Sequence, residues 1–217
     1  MKILALEFSS AQRSVAVVVD GQVRGRAQET GTRENRALSM IEAALATAGL
    51  ERENVDCLAV GLGPGSYNGV RSAIALAQGW QLARGTKILG ISSVESLAAQ
   101  VGVETMHGQI NIIIDAQRNE FYLARYEVSA RGYREESPLR LAGREEVLTL
   151  VGTGESVLGP DVTSEWPAAR QIFPDAAMVG QLASKRSDFV PGELLEPIYL
   201  RETRFVKAPP PRTIPAV

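Results

Sequence analysis

Between residues 58 and 80 the chain reads LAVGLGPGSYNGVRSAIALAQGW, an apolar strand that runs through a glycine-rich corner into a helix with almost no polar side. Cys57, Leu58, Ala59, Val60 and Leu62 make a short apolar run closed by turn residues, the pattern of a strand covered on both faces. Gly61, Gly63, Gly65 and Gly69 permit backbone angles closed to other residues, and Pro64 stiffens the corner. A corner of this kind can offer free amides to an anion. A Walker loop, however, continues with Lys and then Ser or Thr, where this chain has Val70 and Arg71. Gly63, Gly65 and Gly69 also miss the dinucleotide spacing by one residue. A tight structural corner is therefore the favoured reading, and a phosphate cradle the lesser one.

The helix after the corner carries Val70, Ala73, Ile74, Ala75, Leu76, Ala77, Trp80, Leu82 and Ala83, so apolar residues occur on nearly every side and burial on two sides is expected. Gly69, Ala73 and Ala77 share an i, i+4 ridge that lets a second helix approach closely. An earlier helix, over about residues 34–48, repeats the pattern with Ala37, Leu38, Met40, Ile41, Ala44 and Leu45. Two readings stay open. Both are core helices, or together they make a four-helix contact with another protein.

At 45% hydrophobic content, 217 residues suffice for a sizeable core. A formal net charge of −2 argues against a stand-alone nucleic-acid binder, which needs a positive surface. The one cysteine, Cys57, excludes an internal disulfide and reads as an inert thiol in a reducing compartment. His107 has no second histidine beside it, so no catalytic zinc site is expected. Ser66, Ser92 and Ser93 lie outside any Gly-x-Ser-x-Gly elbow and read as helix caps rather than nucleophiles. No signal peptide is read at residues 1–3, and no apolar run approaches the roughly twenty residues that span a bilayer. A cytoplasmic chain with no membrane partner is expected.

A duplication is half hidden in the sequence. Leu4-Ala5-Leu6-Glu7 and Ile112-Ile113-Ile114-Asp115 both end an apolar strand on a carboxylate, and each is followed by a turn containing Ala-Gln-Arg and a second strand, over residues 14–19 or 120–126. Asp20-Gly21 then turns the chain into a third strand over residues 22–28. Helices alternate with strands up to residue 99, with a last strand over residues 87–91 and a helix capped by Ser92 or Ser93. The second half is less regular, with helices expected over residues 143–150 and 175–185. These features predict an α/β chain of the actin-like ATPase (ASKHA) fold, with two tandem βββαβα-type lobes and a reduced second lobe. The boundary is expected between residues 104 and 105, and residues 206–217 read as a loosely ordered, basic, proline-rich tail. In enzymes of this architecture two strand-end acids approach Mg-nucleotide; here Phe8 follows Glu7 and Ala116-Gln117 follows Asp115, where a phosphate would need small residues.

The stretches ILALEFSS, GLGPGSYNGVRSAIALAQG, GISSVESLA, DAQRNEFYLARY and EPIYLR resemble the bacterial TsaB (YeaZ) family, from Met1 to about Arg201. The resemblance implies a catalytically silent subunit that joins TsaD and, with TsaE, forms the bacterial complex making threonylcarbamoyladenosine in tRNA. That modification sits beside the anticodon of tRNAs reading codons that begin with A. The resemblance assigns the transfer chemistry to TsaD. It implies a homodimer in isolation, tRNA contact only through the complex, and no cofactor beyond ATP or ADP within the multi-subunit complex. It carries over Asn35, Leu38, Ser39, Glu42, Ser66, Val70, Arg71, Ser72 and Ile74 as partner-interface candidates, with Arg71 foremost. Glu7, Ser9 and Asp115 mark a vestigial nucleotide site. The chain departs from the family where the common Asp-Thr-Ser is Glu7-Phe8-Ser9 and where a His ahead of the first helix is missing. The alternative is a small actin-like nucleotide-binding ATPase or kinase. On the interface reading, Val70→Glu or Ile74→Glu is expected to leave the chain folded and break association.

Overall fold

The computed structural model describes residues 1–31, 36–103, 107–162, 166 and 168–200. β1 (Lys2–Glu7) pairs antiparallel with β2 (Gln12–Val19), which pairs antiparallel with β3 (Gln22–Thr30). The turn between β2 and β3 holds Asp20 and Gly21 at positive φ, as this tight reversal requires. After α1 (Ala37–Ala48), β4 (Cys57–Gly61) lies parallel beside β1. After α2 (Tyr67–Arg84), β5 (Lys87–Ile91) lies parallel beside β4, and α3 (Ser93–Val103) follows. The first sheet therefore runs β3-β2-β1-β4-β5.

The second half repeats that order. β6 (Gly108–Asp115), β7 (Glu120–Ser129) and β8 (Gly132–Gly143) form an antiparallel meander, α4 (Arg144–Gly152) follows, and β9 (Ser156–Gly159) and β10 (Arg170–Gln171) complete a sheet of order β10-β9-β6-β7-β8. α5 (Ala176–Ala183) closes the series. In both sheets the first strand is central, with an antiparallel second strand on one side and a parallel fourth on the other. This is the duplicated actin-like α/β fold that the sequence predicts. The second copy is reduced: among the described residues no helix lies between β9 and β10. The expected boundary at residues 104 and 105 and the tail over 206–217 fall outside the described residues.

Strand alternation assigns the layers. Leu4, Leu6, Val15, Val17, Leu58 and Val60 face α1 and α2, while Ile3, Ala5, Ala16, Val18 and Ala59 face α5 on the other side of the same sheet. The α5 side is rich in alanine, with Ala5, Ala16 and Ala59 on the strands and Ala176, Ala177 and Ala183 on the helix, and Gly180 lets the helix come close: a Cβ there would stand 2.6 Å from a Val18 methyl. The last helices of the two halves are exchanged. α3 follows the first sheet in sequence but packs Val94, Leu97, Ala98 and Val101 on β6 and β7, whereas α5 follows the second sheet and covers the first. α3 and α5 also touch each other, so neither sheet has a complete core made only from its own half of the chain.

Most expected elements are present within a few residues of their predicted bounds, with two differences. β8, β9 and β10 were not located by the sequence reading: β8 is an edge strand rich in charged residues, interrupted by a bulge that contains Pro138, and β9 and β10 are only 4 and 2 residues long. The second difference concerns α1 and α2. Val70 and Ile74, expected on a partner-facing side, are 1% and 6% exposed and lie inside the same core as Met40, Ile41 and Leu45. Of the other apolar residues of α2, Leu76 and Trp80 are partly buried against the same core, so they extend the buried face Val70-Ala73-Ile74-Ala77, while Ala75 and Ala83 are exposed and Leu82 projects into solvent. On α1 Leu38 does the same at 64% exposure.

The expected phenotype of Val70→Glu changes accordingly. An unpaired carboxylate placed in this core should cost the isolated chain about 3–5 kcal/mol in urea unfolding, while Leu38→Glu should stay within about 0.5 kcal/mol of wild type. An unshifted Val70→Glu midpoint would contradict the packing described.

Candidate functional site

Glu7 ends β1 and is fully buried. One carboxylate oxygen accepts the Ser9 amide at 2.8 Å; the other accepts the Ser93 hydroxyl at 2.7 Å, and that hydroxyl in turn accepts the Gly63 amide at 3.1 Å. Gly61 of β4 lies against the acid, where a Cβ would be 2.0 Å from a carboxylate oxygen. Burial is the main influence on Glu7 and pushes its pKa up; the hydrogen bonds from Ser9 and Ser93 oppose this, and Asp175 adds to it. Asp175 caps α5, accepting the Ala177 amide at 2.7 Å, and pairs with Arg26. Phe8 turns into the core under α1 and α2.

The glycine corner is closed by the chain itself. The Ser66 amide donates to the Ser9 carbonyl at 2.6 Å, and the Ser66 hydroxyl caps α2 by accepting the Gly69 amide at 3.2 Å. A Cβ on Gly69 would stand 1.9 Å from the Phe8 carbonyl oxygen. The backbone that follows β1 thus occupies the place in which a phosphate cradle would hold its anion, and the structural-corner reading holds. Asp115, at the matching end of β6, belongs to a separate network: its carboxylate accepts the Gln117 amide and side-chain amide at 2.7 and 2.9 Å, and its own amide donates to Asp161 at 3.3 Å. Gln117, Arg118 and Asn119 are successive residues at positive φ. Glu7, Ser9 and Ser93 come together, but among the described residues no hydrogen bond joins them to Asp115.

The interface candidates divide by exposure. Leu38, Ser39, Glu42 and Arg71 are exposed, Ser66 and Ser72 are half-buried, Val70 and Ile74 belong to the core, and Asn35 lies outside the described residues. Glu42 is paired with Arg52. Arg71 is held by aromatic rings: its guanidinium carbon lies 4.1 Å from the Tyr67 centroid and 6.0 Å from that of Tyr199, and the two rings stack at 5.5 Å. Sequence reasoning passed over both tyrosines, although Tyr67 stands in the glycine corner and Tyr199 in EPIYLR. Cys57 is buried, and burial pushes its thiol up to about 12, so it is no nucleophile at neutral pH. A cavity of about 150 Å³ beside β7, β8 and α4 is lined by Asn111, Arg125, Arg140 and Glu146, whose charged groups are already paired.

The family model described as TsaD, tRNA N6-adenosine threonylcarbamoyltransferase, matches residues 32–142. The tRNA threonylcarbamoyladenosine biosynthesis protein TsaB of Escherichia coli is 29% identical over 93% of this chain and 95% of its own length. The TsaB protein of Haemophilus influenzae is 37% identical over 57% of this chain and 53% of its own. A solved structure from Pseudomonas aeruginosa, described as an uncharacterized protein with similarity to peptidase YEAZ, superposes with a TM-score of 0.77 at 27% identity, covering 92% of this chain and 99% of that one. The chain belongs to the TsaB (YeaZ) family. It does so within the wider group that the TsaD model describes. For this TsaB-family chain the peptidase label finds no support in the serines, since Ser66 caps α2 and Ser93 is bonded to Glu7.

The buried acid makes a pH prediction. Because the folded state favours protonated Glu7, its contribution is full below the ordinary value of 4.5 and is lost as pH rises through the elevated folded value. Denaturant unfolding between about pH 4 and pH 8 should therefore show Glu7→Gln gaining stability relative to wild type as pH rises. A constant difference across that range would mean that Glu7 titrates as an ordinary carboxylate.

Proposed function

We propose that this chain is a noncatalytic subunit in the formation of threonylcarbamoyladenosine in tRNA, and that it works by docking onto a TsaD protein. The observation that carries this reading is the closed corner: the amide of Ser66 and the space beside Gly69 are taken by the chain's own Ser9 and Phe8 carbonyls, and Glu7 is walled in by Gly61 and Ser93. An acid so enclosed holds the β1 end against α2 and α3, a structural task, rather than reaching toward a nucleotide. The names of the Escherichia coli and Haemophilus influenzae relatives supply the pathway. The exposed side of α1 and α2, with Leu38, Ser39, Glu42 and Arg71, is the docking surface in this reading, and Ser66 and Ser72 border it. TsaE joins the assembly, the isolated chain pairs with itself through the same surface, and tRNA and any ATP or ADP are engaged only in the complex. Such work belongs in the cytoplasm; no helix among the described residues is long and apolar enough to cross a membrane.

Reconstitution tests the proposal directly. TsaD, TsaE, the adenylate-forming enzyme TsaC, threonine, bicarbonate, ATP and unmodified tRNA should yield modified tRNA only when this chain is added, and the chain alone should not turn over ATP. Full modification in its absence, or ATP hydrolysis by the chain alone that Glu7→Ala or Asp115→Ala abolishes, would favour the kinase-like alternative instead.

A further inference from the structure

Arg71 stands on the exposed side of α2 near its start, and it takes part in no ion pair among the described residues. Its guanidinium is nonetheless held in place by Tyr67 and Tyr199, which are 54% and 38% exposed. Tyr199 arrives from far along the chain, on a segment that is fastened at three points. The Gly192 backbone is gripped by Gln78 and Gln81 of α2, at 2.8 and 2.6 Å; the Leu195 side chain is buried beside β5; and the Ile198 amide donates to the Leu62 carbonyl at 2.9 Å. A free arginine loses much rotamer freedom when it is bound. One stacked against aromatic rings has given up that freedom in advance, while its N–H edges remain open. Those edges form a planar fork that fits a carboxylate in two parallel hydrogen bonds.

We propose that Tyr199 is a positioning residue for docking: with Tyr67 it holds Arg71 ready for a carboxylate side chain of the TsaD partner, which makes the C-terminal segment part of the docking surface beside α1 and α2. The inference rests on the docking reading above. A protein carboxylate fits better than a nucleic-acid phosphate, because the chain carries a net charge of −2 and the same segment exposes Glu193 and Glu196, whose field opposes a polyanion. Exposed tyrosine and arginine on a fixed backbone are also the composition of a protein-protein hot spot.

Calorimetric titration of TsaD from the same organism with wild type, Tyr199→Phe, Tyr199→Ala, Arg71→Lys, Arg71→Ala and the double alanine variant tests it. Tyr199→Ala should weaken binding about tenfold, and Tyr199→Phe, which keeps the ring, should stay within about twofold of wild type. Arg71→Lys keeps the charge but loses the fork, and should weaken binding at least about fivefold. The double alanine variant should bind no more weakly than Arg71→Ala alone, since Tyr199 acts through the arginine. All variants should keep the unfolding midpoint of the isolated chain, which separates positioning from a general structural role. Wild-type binding with unchanged affinity in Tyr199→Ala, or with losses that simply add, would overturn this inference and leave the docking reading standing. A loss confined to self-association, or to tRNA affinity of the assembled complex, would equally overturn it in favour of a second copy or of nucleic acid. Failure of the wild-type chain to bind TsaD would overturn both.

Discussion

The contact between the turn after β1 and the start of α2 organises the rest of the molecule. Gly69 lets the Phe8 carbonyl approach to a distance that any side chain would block, and the Ser66 amide ties down the Ser9 carbonyl. Through this junction the central strand of the first sheet fixes the start of the longest helix. Phe8 is driven under α1 and α2, and Glu7 is turned inward against Ser93, the first residue of α3. One small region thus sets the positions of β1, α2 and α3 together. It also takes up the Ser66 amide, a donor that an anion-binding loop of similar composition leaves free.

The exchange of α3 and α5 makes the two similar halves depend on each other. Each sheet receives one of its covering helices from the other half of the chain, so the apolar faces of β1 and β6 are completed only when both halves are folded. This interlocking gives the reduced second half a structural purpose even though, among the described residues, it lacks a helix that the first half has. The C-terminal segment adds a further tie, running from the α5 region back along β5 to the glycine corner and ending where Tyr199 meets Arg71. In the proposed reading the same helices therefore bury one face in the core and turn the other, with its tyrosine-held arginine, toward a partner.

Much of this was legible in the amino-acid order. Alternation in the strands, the Asp20-Gly21 turn and the repeated strand-carboxylate pattern are local signals, and they predicted the first sheet closely and the duplication correctly. β8 was not legible, because an edge strand needs apolar residues on one face at most and its bulge breaks the alternation. The outward assignment of Val70 and Ile74 failed for a related reason. Helical periodicity tells which residues share a face, but when apolar residues also stand on the other sides of the helix, as Leu76, Trp80 and Leu82 do on α2, it does not tell which face the core takes.

What the sequence determined by itself is the class of fold and the inertness of Cys57, since each follows from residue size, spacing and local backbone preference. Only the tertiary structure decided that Glu7 is sealed between β4 and α3, that the last helices change places, and that Tyr199 stacks beside Tyr67 at Arg71. These are contacts between residues far apart in the chain, and their existence depends on how whole elements pack, a property that no local pattern encodes.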